Sequence, residues 1–166
     1  MATRNILKDG DPTLLKRSRE VVNFDNRLHE LLDDMAETMH EAEGAGLAAP
    51  QVGVLRRVAV VATPDGIVEL VNPEIIQTDG EQEGAEGCLS FPGLYGLVKR
   101  PERATVRAKD RHGKEFTLEG EGIVARAFCH EIDHLDGIVF TERAERILTP
   151  EELQEMFEER EDSSEE

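Results

Sequence analysis

The chain has 166 residues, of which 39% are hydrophobic, and this length fits one compact domain. Its formal net charge is −17, from 36 acidic and 19 basic side chains, which argues against nucleic-acid binding because that activity needs clustered Lys and Arg. No stretch approaches the ~18 consecutive apolar residues of a membrane-spanning helix, and the N-terminus lacks the apolar segment of a secretory signal. We therefore expect a soluble cytoplasmic protein with no DNA partner and no membrane partner.

The first predicted element is an amphipathic helix over 25–43, where Leu and Met side chains recur at helical spacing. The segment GAGLAAPQVG at 44–53 breaks this helix with three glycines and a proline. Turn signals and runs of Val and Ile then predict four strands, at 57–62, 67–76, 104–109 and 114–118.

Two further helices are predicted in the second half of the chain. The first covers 122–136. The other begins at Thr149-Pro150, where an N-cap residue precedes a proline, and it is expected to turn Leu153, Met156 and Phe157 inward. We expect one catalytic domain over 1–160, followed by an acidic, disordered tail at 161–166.

The strongest chemical signal is the sequence His130-Glu131-Ile132-Asp133-His134 within the second helix. Positions i and i+4 lie on one helix face, so both imidazoles can reach a single metal ion. Glu131 lies about 100° further round the helix, where it can contact a metal-bound water without being a ligand. Two incidental histidines on a helix are the alternative interpretation.

A catalytic metal site usually has three protein ligands, and no histidine follows His134. Cys88, in the sequence EGCLS, is the better candidate for the third ligand, and a buried structural thiol is its alternative. Cys129 adjoins His130 but points about 100° away from it on the helix, so we assign it to the core. Two cysteines do not make a disulfide framework in a chain of this size.

The glycine-rich segment is the third element that suggests chemistry. Its glycines allow a ligand to approach the backbone closely and leave backbone groups free to pair with an extended peptide. The side-chain amide of Gln51 could donate a hydrogen bond to a developing oxyanion, together with a backbone N–H beside Cys88. By itself this segment is weak support for a catalytic site.

Taken together and in this order, GAGLAAPQ, EGCLS and HEIDHLDG resemble the three signature motifs of the peptide deformylases. The family removes the formyl group from the N-terminal N-formylmethionine of nascent polypeptides and releases formate. The resemblance covers nearly the whole chain except the acidic tail. It implies an α+β fold with mixed or antiparallel strands around a central metal-binding helix, and with N-terminal and C-terminal helices.

The resemblance also implies a role for each motif residue. Cys88, His130 and His134 bind one divalent metal, which in the family is typically Fe(II), while Ni, Co or Zn can occupy the site. Glu131 acts first as base toward the attacking water and then as acid toward the departing amine. The oxyanion is held by the Gln51 side chain and the Leu89 backbone N–H. The substrate residues implied are Gly46, which pairs with the peptide backbone, and five residues near the methionine pocket: Ala45, Tyr95, Ile123, Arg126 and Ala127.

The chain departs from the family pattern in two places. Cys129 stands where glutamine is common, and this leaves the ligands untouched. Some members dock on the ribosome through a basic C-terminal helix, whereas the matching segment here is acidic. Any ribosome contact is therefore not expected through that helix. Glu86, Arg100 and Asp133 are expected either to brace the motifs or to form ordinary surface pairs.

Two other functions remain open from the sequence. A peptidase that uses the same helix is disfavoured by the upstream cysteine and by the missing downstream histidine. A non-catalytic binder of peptide N-termini is disfavoured because it would need neither Glu131 nor Gln51. The leading prediction is a metal-dependent amidohydrolase that acts on N-formylmethionyl peptides.

Overall fold

A computed structural model describes residues 2–165, with side chains described for residues 2–158. The strands are β1 Gly46–Ala48, β2 Val58–Thr63, β3 Gly66–Asp79, β4 Gln82–Cys88, β5 Phe91–Arg100, β6 Arg103–Lys109, β7 Glu115–Glu121 and β8 Arg146–Ile147. The α-helices are α1 Asn26–Glu41, α2 Ile123–Leu135, α3 Phe140–Arg143 and α4 Pro150–Glu165. Two 3-10 turns, Pro12–Leu15 and Ala49–Val52, complete the described elements.

The strands form two antiparallel sheets. The larger sheet has the order β1-β2-β3-β6-β7, and the smaller one has the order β4-β5-β8. All neighbouring strands within both sheets run antiparallel. The predicted α+β class, with strands around a central helix, is confirmed.

Strand β2 of the larger sheet is buried on both faces along its first four residues. Successive side chains of a strand point to opposite faces. Val58 and Val60 therefore join the core beneath α1, whereas Ala59 and Val61 join the core beneath α2. Each large apolar side chain buried in these layers contributes about 1.5–3 kcal/mol. The result is a layered arrangement with the sheet between the two helices.

Helix α1 begins at Asp25, whose carboxylate accepts a hydrogen bond from the Leu28 N–H. Its buried side chains include all five of the predicted apolar stripe, Leu28, Leu31, Leu32, Met35 and Met39. Helix α2 begins after Gly122, which adopts φ +61°, a conformation that glycine tolerates best. Phe128 and Leu135 anchor α2 on the larger sheet.

The N-terminal segment crosses the molecule and ties several elements together. The Leu7 N–H donates to the Gln51 carbonyl at 2.7 Å, and the Asp9 N–H donates to the Ser90 carbonyl at 2.8 Å. Further back, the Arg4 guanidinium pairs with Asp34 of α1 at 2.9 Å. The segment thus fixes the position of the Gln51 turn relative to the end of β4.

The structure differs from the sequence-based expectations in several places. Strands β4, β5 and β8, the short helix α3 and the first 3-10 turn were not predicted, and the glycine-rich segment holds β1 and a 3-10 turn rather than only a loop. The inward placement of Phe157 is wrong, because its side chain is 47% exposed, while Leu153 and Met156 are half-buried. None of the described helices is both long enough and apolar enough to cross a membrane.

The predicted boundary at residue 160 falls inside α4, which extends to Glu165. The single domain over 1–160 and the disorder of 161–166 stay predictions, and Met1 and Glu166 lie outside the described residues.

Candidate active site

The fold brings Cys88, His130 and His134 into one cluster. The two histidine Nε2 atoms lie 3.2 Å apart, and the Cys88 Sγ lies 3.3 Å from the His134 Nε2. Each residue offers one ligand atom, and the three atoms all lie within 4.8 Å of one another. The histidines come from successive turns of α2, whereas Cys88 is the last residue of β4. Potential metal ligands from two separate elements therefore converge on one point.

The electrostatics of this cluster suit a cation. Burial and the neighbouring His130 lower the pKa of His134, so its imidazole stays neutral and keeps a lone pair for a metal. Burial opposes a charge on His130, yet Glu131, Cys88 and Glu86 raise the pKa of its imidazole well above the usual value. The surroundings thus favour positive charge at this point, which a divalent ion would supply.

A buried ion-pair network supports the cluster from behind. The Glu86 carboxylate accepts from the His130 Nδ1 at 2.7 Å and from the Arg100 guanidinium at 2.7 and 3.0 Å. Arg100 also donates to Asp133 at 2.8 Å, and Arg126 donates to Glu86 at 2.9 Å. Burial opposes ionisation of Glu86, but the hydrogen bonds from His130 and Arg100 hold the pKa of Glu86 well below its usual range. Glu86, Arg100 and Asp133 therefore hold the end of β4 and helix α2 in a fixed relative position.

Glu131 lies beside the cluster without joining it. Its side chain is only 3% exposed, and its Oε1 atom has no hydrogen-bond partner among the described residues. Burial raises the pKa of Glu131 to about 7. A carboxyl group that titrates near neutral pH can both accept and give a proton under physiological conditions.

Gly46 provides the space that Glu131 occupies. A Cβ at position 46 would lie 2.4 Å from the Glu131 Oε2 and 2.9 Å from its Cδ. Any side chain at this position would therefore displace the carboxylate. The strand β1 that carries Gly46 is an edge strand of the larger sheet. The Ala45 carbonyl accepts a hydrogen bond from the Ala62 N–H of β2. The backbone N–H and C=O groups of successive residues in a strand point alternately to its two sides, so those of Gly46 point to the free edge.

The side chain of Gln51 is almost fully buried and reaches toward the same cluster. Its Oε1 accepts from the Ala48 N–H at 2.9 Å, and its Nε2 donates to the Ser90 Oγ at 3.1 Å. The same Nε2 lies 3.5 Å from the Cys88 Sγ. The N–H of Leu89, next to Cys88, has no acceptor among the residues that the structure describes. Two donors thus lie beside the cluster.

These groups face one cleft of about 540 Å³. The residues lining it include Cys88, Leu89, Gln51, His130 and Glu131, together with all the predicted substrate residues, Ala45, Gly46, Tyr95, Ile123, Arg126 and Ala127. His134 lies deeper, behind His130, and is 1% exposed. Arg126 also has a structural task, because it binds Glu86 and the Val98 carbonyl. The assignment of Cys129 to the core is wrong, because this residue is only half-buried, and it does not line the cleft.

Sequence reasoning missed two contributors to this site. Ser90 is fully buried, and its hydroxyl accepts a hydrogen bond from Gln51. It belongs to the motif EGCLS, but no role was predicted for it. The N-terminal segment contacts Gln51 and Ser90 through its backbone, and no residue pattern signals such contacts. The position of Ser90 directly after Leu89 was the only signal that could have identified it.

Comparisons with known proteins show which family this chain resembles. The model of the polypeptide deformylase family matches residues 3–149. A peptide deformylase of Acetivibrio thermocellus is 54% identical over 154 residues, which cover 93% of this chain and 91% of that relative. The crystal structure of a peptide deformylase from Thermotoga maritima superimposes with a TM-score of 0.84 at 39% identity, and covers 87% of this chain and 99% of that one. A second, from Legionella pneumophila, gives a TM-score of 0.83 at 44% identity, with 92% and 90% covered.

Proposed function

The chain belongs to the polypeptide deformylase family, and on this basis we propose a role for each site residue in the reaction. The enzyme is a metal-dependent hydrolase that removes the formyl group from the N-terminus of nascent polypeptides. The observation that carries our assignment is the convergence of three ligand atoms beside a buried carboxyl group at the base of one cleft.

Cys88, His130 and His134 hold the metal ion in this proposal. Thiolate and imidazole donors suit several divalent metals, so the donor set alone does not select one. Membership of the family supports Fe(II) in the cell, with Ni, Co or Zn as substitutes. When bound, the ion would supply Lewis-acid chemistry, which lowers the pKa of water toward ~7. The buried Glu86 orients His130 so that its Nε2 faces the other ligands.

Glu131 moves the proton. Its carboxyl group is buried beside the ligands, and its Oε1 has no partner among the described residues, so that oxygen is available to a water molecule. With a pKa of about 7, Glu131 can accept a proton from the attacking water and then deliver it to the amine that departs. One carboxyl group thus serves both proton transfers.

The Gln51 Nε2 and the Leu89 N–H stabilise the negative charge that develops on the formyl oxygen. Both are donors, and both lie beside Cys88 at the cleft. Preorganised donors of this kind act where charge appears in the transition state, and losing one typically slows a reaction about 10²–10³-fold. Burial of Gln51 strengthens its effect, because electrostatic interactions grow as water is excluded.

The substrate binds along the free edge of β1. The backbone groups of Gly46 point to this edge and can pair with an extended peptide, as in strand addition. The methionine side chain lies against the walls formed by Ala45, Tyr95, Ile123, Arg126 and Ala127. Ile123 is 69% exposed at the cleft, so a bound methionine would cover an apolar surface that otherwise faces water.

We infer that the enzyme works in the cytoplasm, where nascent chains are made. Fractionation of cells would test that location. The described side chains of α4 include the exposed carboxylates Glu151, Glu155 and Glu158, which repel RNA. Any contact with the ribosome would therefore use another surface. Removal of residues 150–166 should leave co-sedimentation with ribosomes unchanged, and a loss of co-sedimentation would contradict this part.

Formate release is the direct test of the function. Protein reconstituted anaerobically with Fe(II), and separately with Ni(II), should release formate from a formyl-Met peptide. The same peptide without the formyl group should remain intact. Absence of formate with both metals would overturn the proposal. Cleavage of the unformylated peptide would indicate a peptidase, and tight binding without formate would indicate a binding protein.

Metal analysis separates the ligands from the proton carrier. Glu131→Ala should keep its metal and lose activity, whereas Cys88→Ala should lose metal affinity. Cys129→Ala is the matched control, because Cys129 adjoins a ligand but lies outside the cleft, and it should keep both. Equal metal loss in the Glu131 and Cys88 variants would refute the assignment of roles.

A further inference from the structure

Ser90 is a fully buried serine whose hydroxyl makes one hydrogen bond among the described residues. Its hydroxyl oxygen accepts a hydrogen bond of 3.1 Å from the Nε2 of Gln51. Its backbone is held separately, because the Ser90 carbonyl accepts from the Asp9 N–H at 2.8 Å. The turn that contains Ser90 is thus anchored through its main chain, and its hydroxyl is committed to the Gln51 amide.

The environment of Gln51 fixes which end of its amide faces which neighbour. A backbone N–H can only donate, so the atom that meets the Ala48 N–H at 2.9 Å must be the oxygen. The NH₂ group must then face Ser90 and Cys88. One of its two hydrogens is donated to the Ser90 Oγ. The other is directed at the Cys88 Sγ, 3.5 Å away, on the side of Gln51 that lines the cleft.

We propose that Ser90 is a positioning residue, which holds the Gln51 amide so that its second N–H faces the reacting formyl group. This inference rests on the proposed role of Gln51 as an oxyanion donor. An amide anchored only through its oxygen would still rotate about its last side-chain bond, because such terminal torsions are broad. The Ser90 hydroxyl removes that freedom, and with it the need to reorient the donor during the reaction.

Ser90→Ala should lower kcat about 10- to 100-fold, the range typical when the partner that orients a functional group is removed. The KM for a formyl-Met peptide and the metal content should stay near those of the parent enzyme. Ser18→Ala is the matched control, since Ser18 is also a buried serine but its hydroxyl has no hydrogen-bond partner among the described residues. Ser18→Ala should leave kcat unchanged. An unchanged kcat in Ser90→Ala would overturn the proposal.

A double-mutant cycle distinguishes positioning from a general structural effect. Gln51→Ala alone should lower kcat about 10²–10³-fold. Adding Ser90→Ala to Gln51→Ala should change kcat less than about twofold, because contacting residues that act as one unit are not additive. Independent, multiplicative effects would overturn the proposal. If Ser90→Ala fails to fold, Ser90→Cys keeps nearly the same volume with a weaker acceptor and completes the same cycle.

A measurement that does not involve turnover completes the test. In Zn(II)-loaded, ¹⁵N-labelled protein, the two side-chain amide protons of Gln51 are identified by their absence from Gln51→Ala. They should exchange slowly with solvent in the parent protein and faster in Ser90→Ala. Equal exchange rates would contradict the proposal. The experiments distinguish failure of the two proposals. Full activity of Gln51→Ala would contradict the role of Gln51 as an oxyanion donor. Loss of activity in Gln51→Ala but not in Ser90→Ala would contradict only the role of Ser90.

Discussion

The carboxylate of Glu86 accepts a 2.7 Å hydrogen bond from the Nδ1 of His130, although the two residues come from different elements, β4 and α2. Because the carboxylate stays ionised, it keeps a proton on the His130 Nδ1. A metal ion would take the place of the second proton, at Nε2, that the raised pKa of His130 favours. The bond therefore sets both the tautomer and the ring orientation of a proposed metal ligand.

Replacement of this carboxylate should weaken metal binding. We expect Glu86→Gln to lower the metal affinity about 10- to 100-fold, since the neutral amide can turn a donor toward His130 and no longer enforces the tautomer. Competition with a chelator of known affinity measures the change. Glu83→Gln is the matched control on the exposed face of the same strand, and it should leave the affinity unchanged. Equal affinities in both variants would contradict the role of Glu86.

Arg100 should contribute strongly to stability. It pairs with both Glu86 and Asp133, and Arg100 and Glu86 are buried. We expect Arg100→Met to lower the free energy of unfolding by about 3 kcal/mol, the lower end for a broken buried pair, because Glu86 keeps His130 and Arg126 as partners and Asp133 keeps Arg143. Urea unfolding measures the loss. Arg103→Met removes an exposed arginine that also has two acidic neighbours, and it should have little effect.

Gly46→Ala should reduce activity through Glu131. The new methyl group would lie 2.4 Å from the Glu131 Oε2, so the carboxylate must move away from the reacting centre. We expect kcat to fall about 10²-fold, the lower end of what general acid–base catalysis supplies. The metal content should not change. Gly120→Ala, which crowds Val124 and Phe128 instead, should lower the melting temperature and leave kcat of the folded enzyme intact.

Asp34 should make the stability depend on pH. Burial opposes its ionisation, but the Ala2 N–H and the Arg4 guanidinium hold the pKa of Asp34 below its usual value. Its pKa is thus lower in the folded protein than in the unfolded chain. The contribution is complete above the unfolded pKa of about 4 and disappears as the pH falls through the folded value.

Asp34→Asn should therefore destabilise the protein by about 1–3 kcal/mol at pH 7 and much less near pH 2. Urea unfolding at both pH values measures the difference. Asp65→Asn, in the exposed turn between β2 and β3, serves as the control and should show no such dependence. A constant difference between Asp34→Asn and the parent protein across this range would contradict the prediction.

The sequence predicted those elements whose own pattern determines them. The apolar stripe of α1 and the spacing of His130 and His134 on α2 follow from helical periodicity, and the structure has both. Strands β4 and β5 did not show such a pattern. The strand β4, QEGAEGC, contains two glycines and no β-branched residue, and it exists because β5 pairs with it. Pairing between strands is a tertiary effect that local propensity does not record.

In the candidate site, too, some features could be predicted from the sequence and others could not. The proposed ligand residues and Glu131 were predicted from residue type and spacing, because metal chemistry restricts both, and the structure brings them together. The contact of Ser90 with Gln51 and the path of the N-terminal segment depend on where distant backbone atoms lie. Phe157 was misplaced because an amphipathic pattern predicts a helix but not whether a neighbouring surface exists to cover it.

The edge position of β1 has a consequence for the breadth of substrates. A peptide that extends the sheet at Gly46 is itself a strand, and its side chains point alternately toward and away from the enzyme. The walls of the cleft can therefore contact the side chain of only every other residue. Main-chain hydrogen bonds, which are the same for every sequence, bind the peptide at the other positions. In the proposed binding mode, we therefore expect the enzyme to accept many different residues at the second position of a newly made protein.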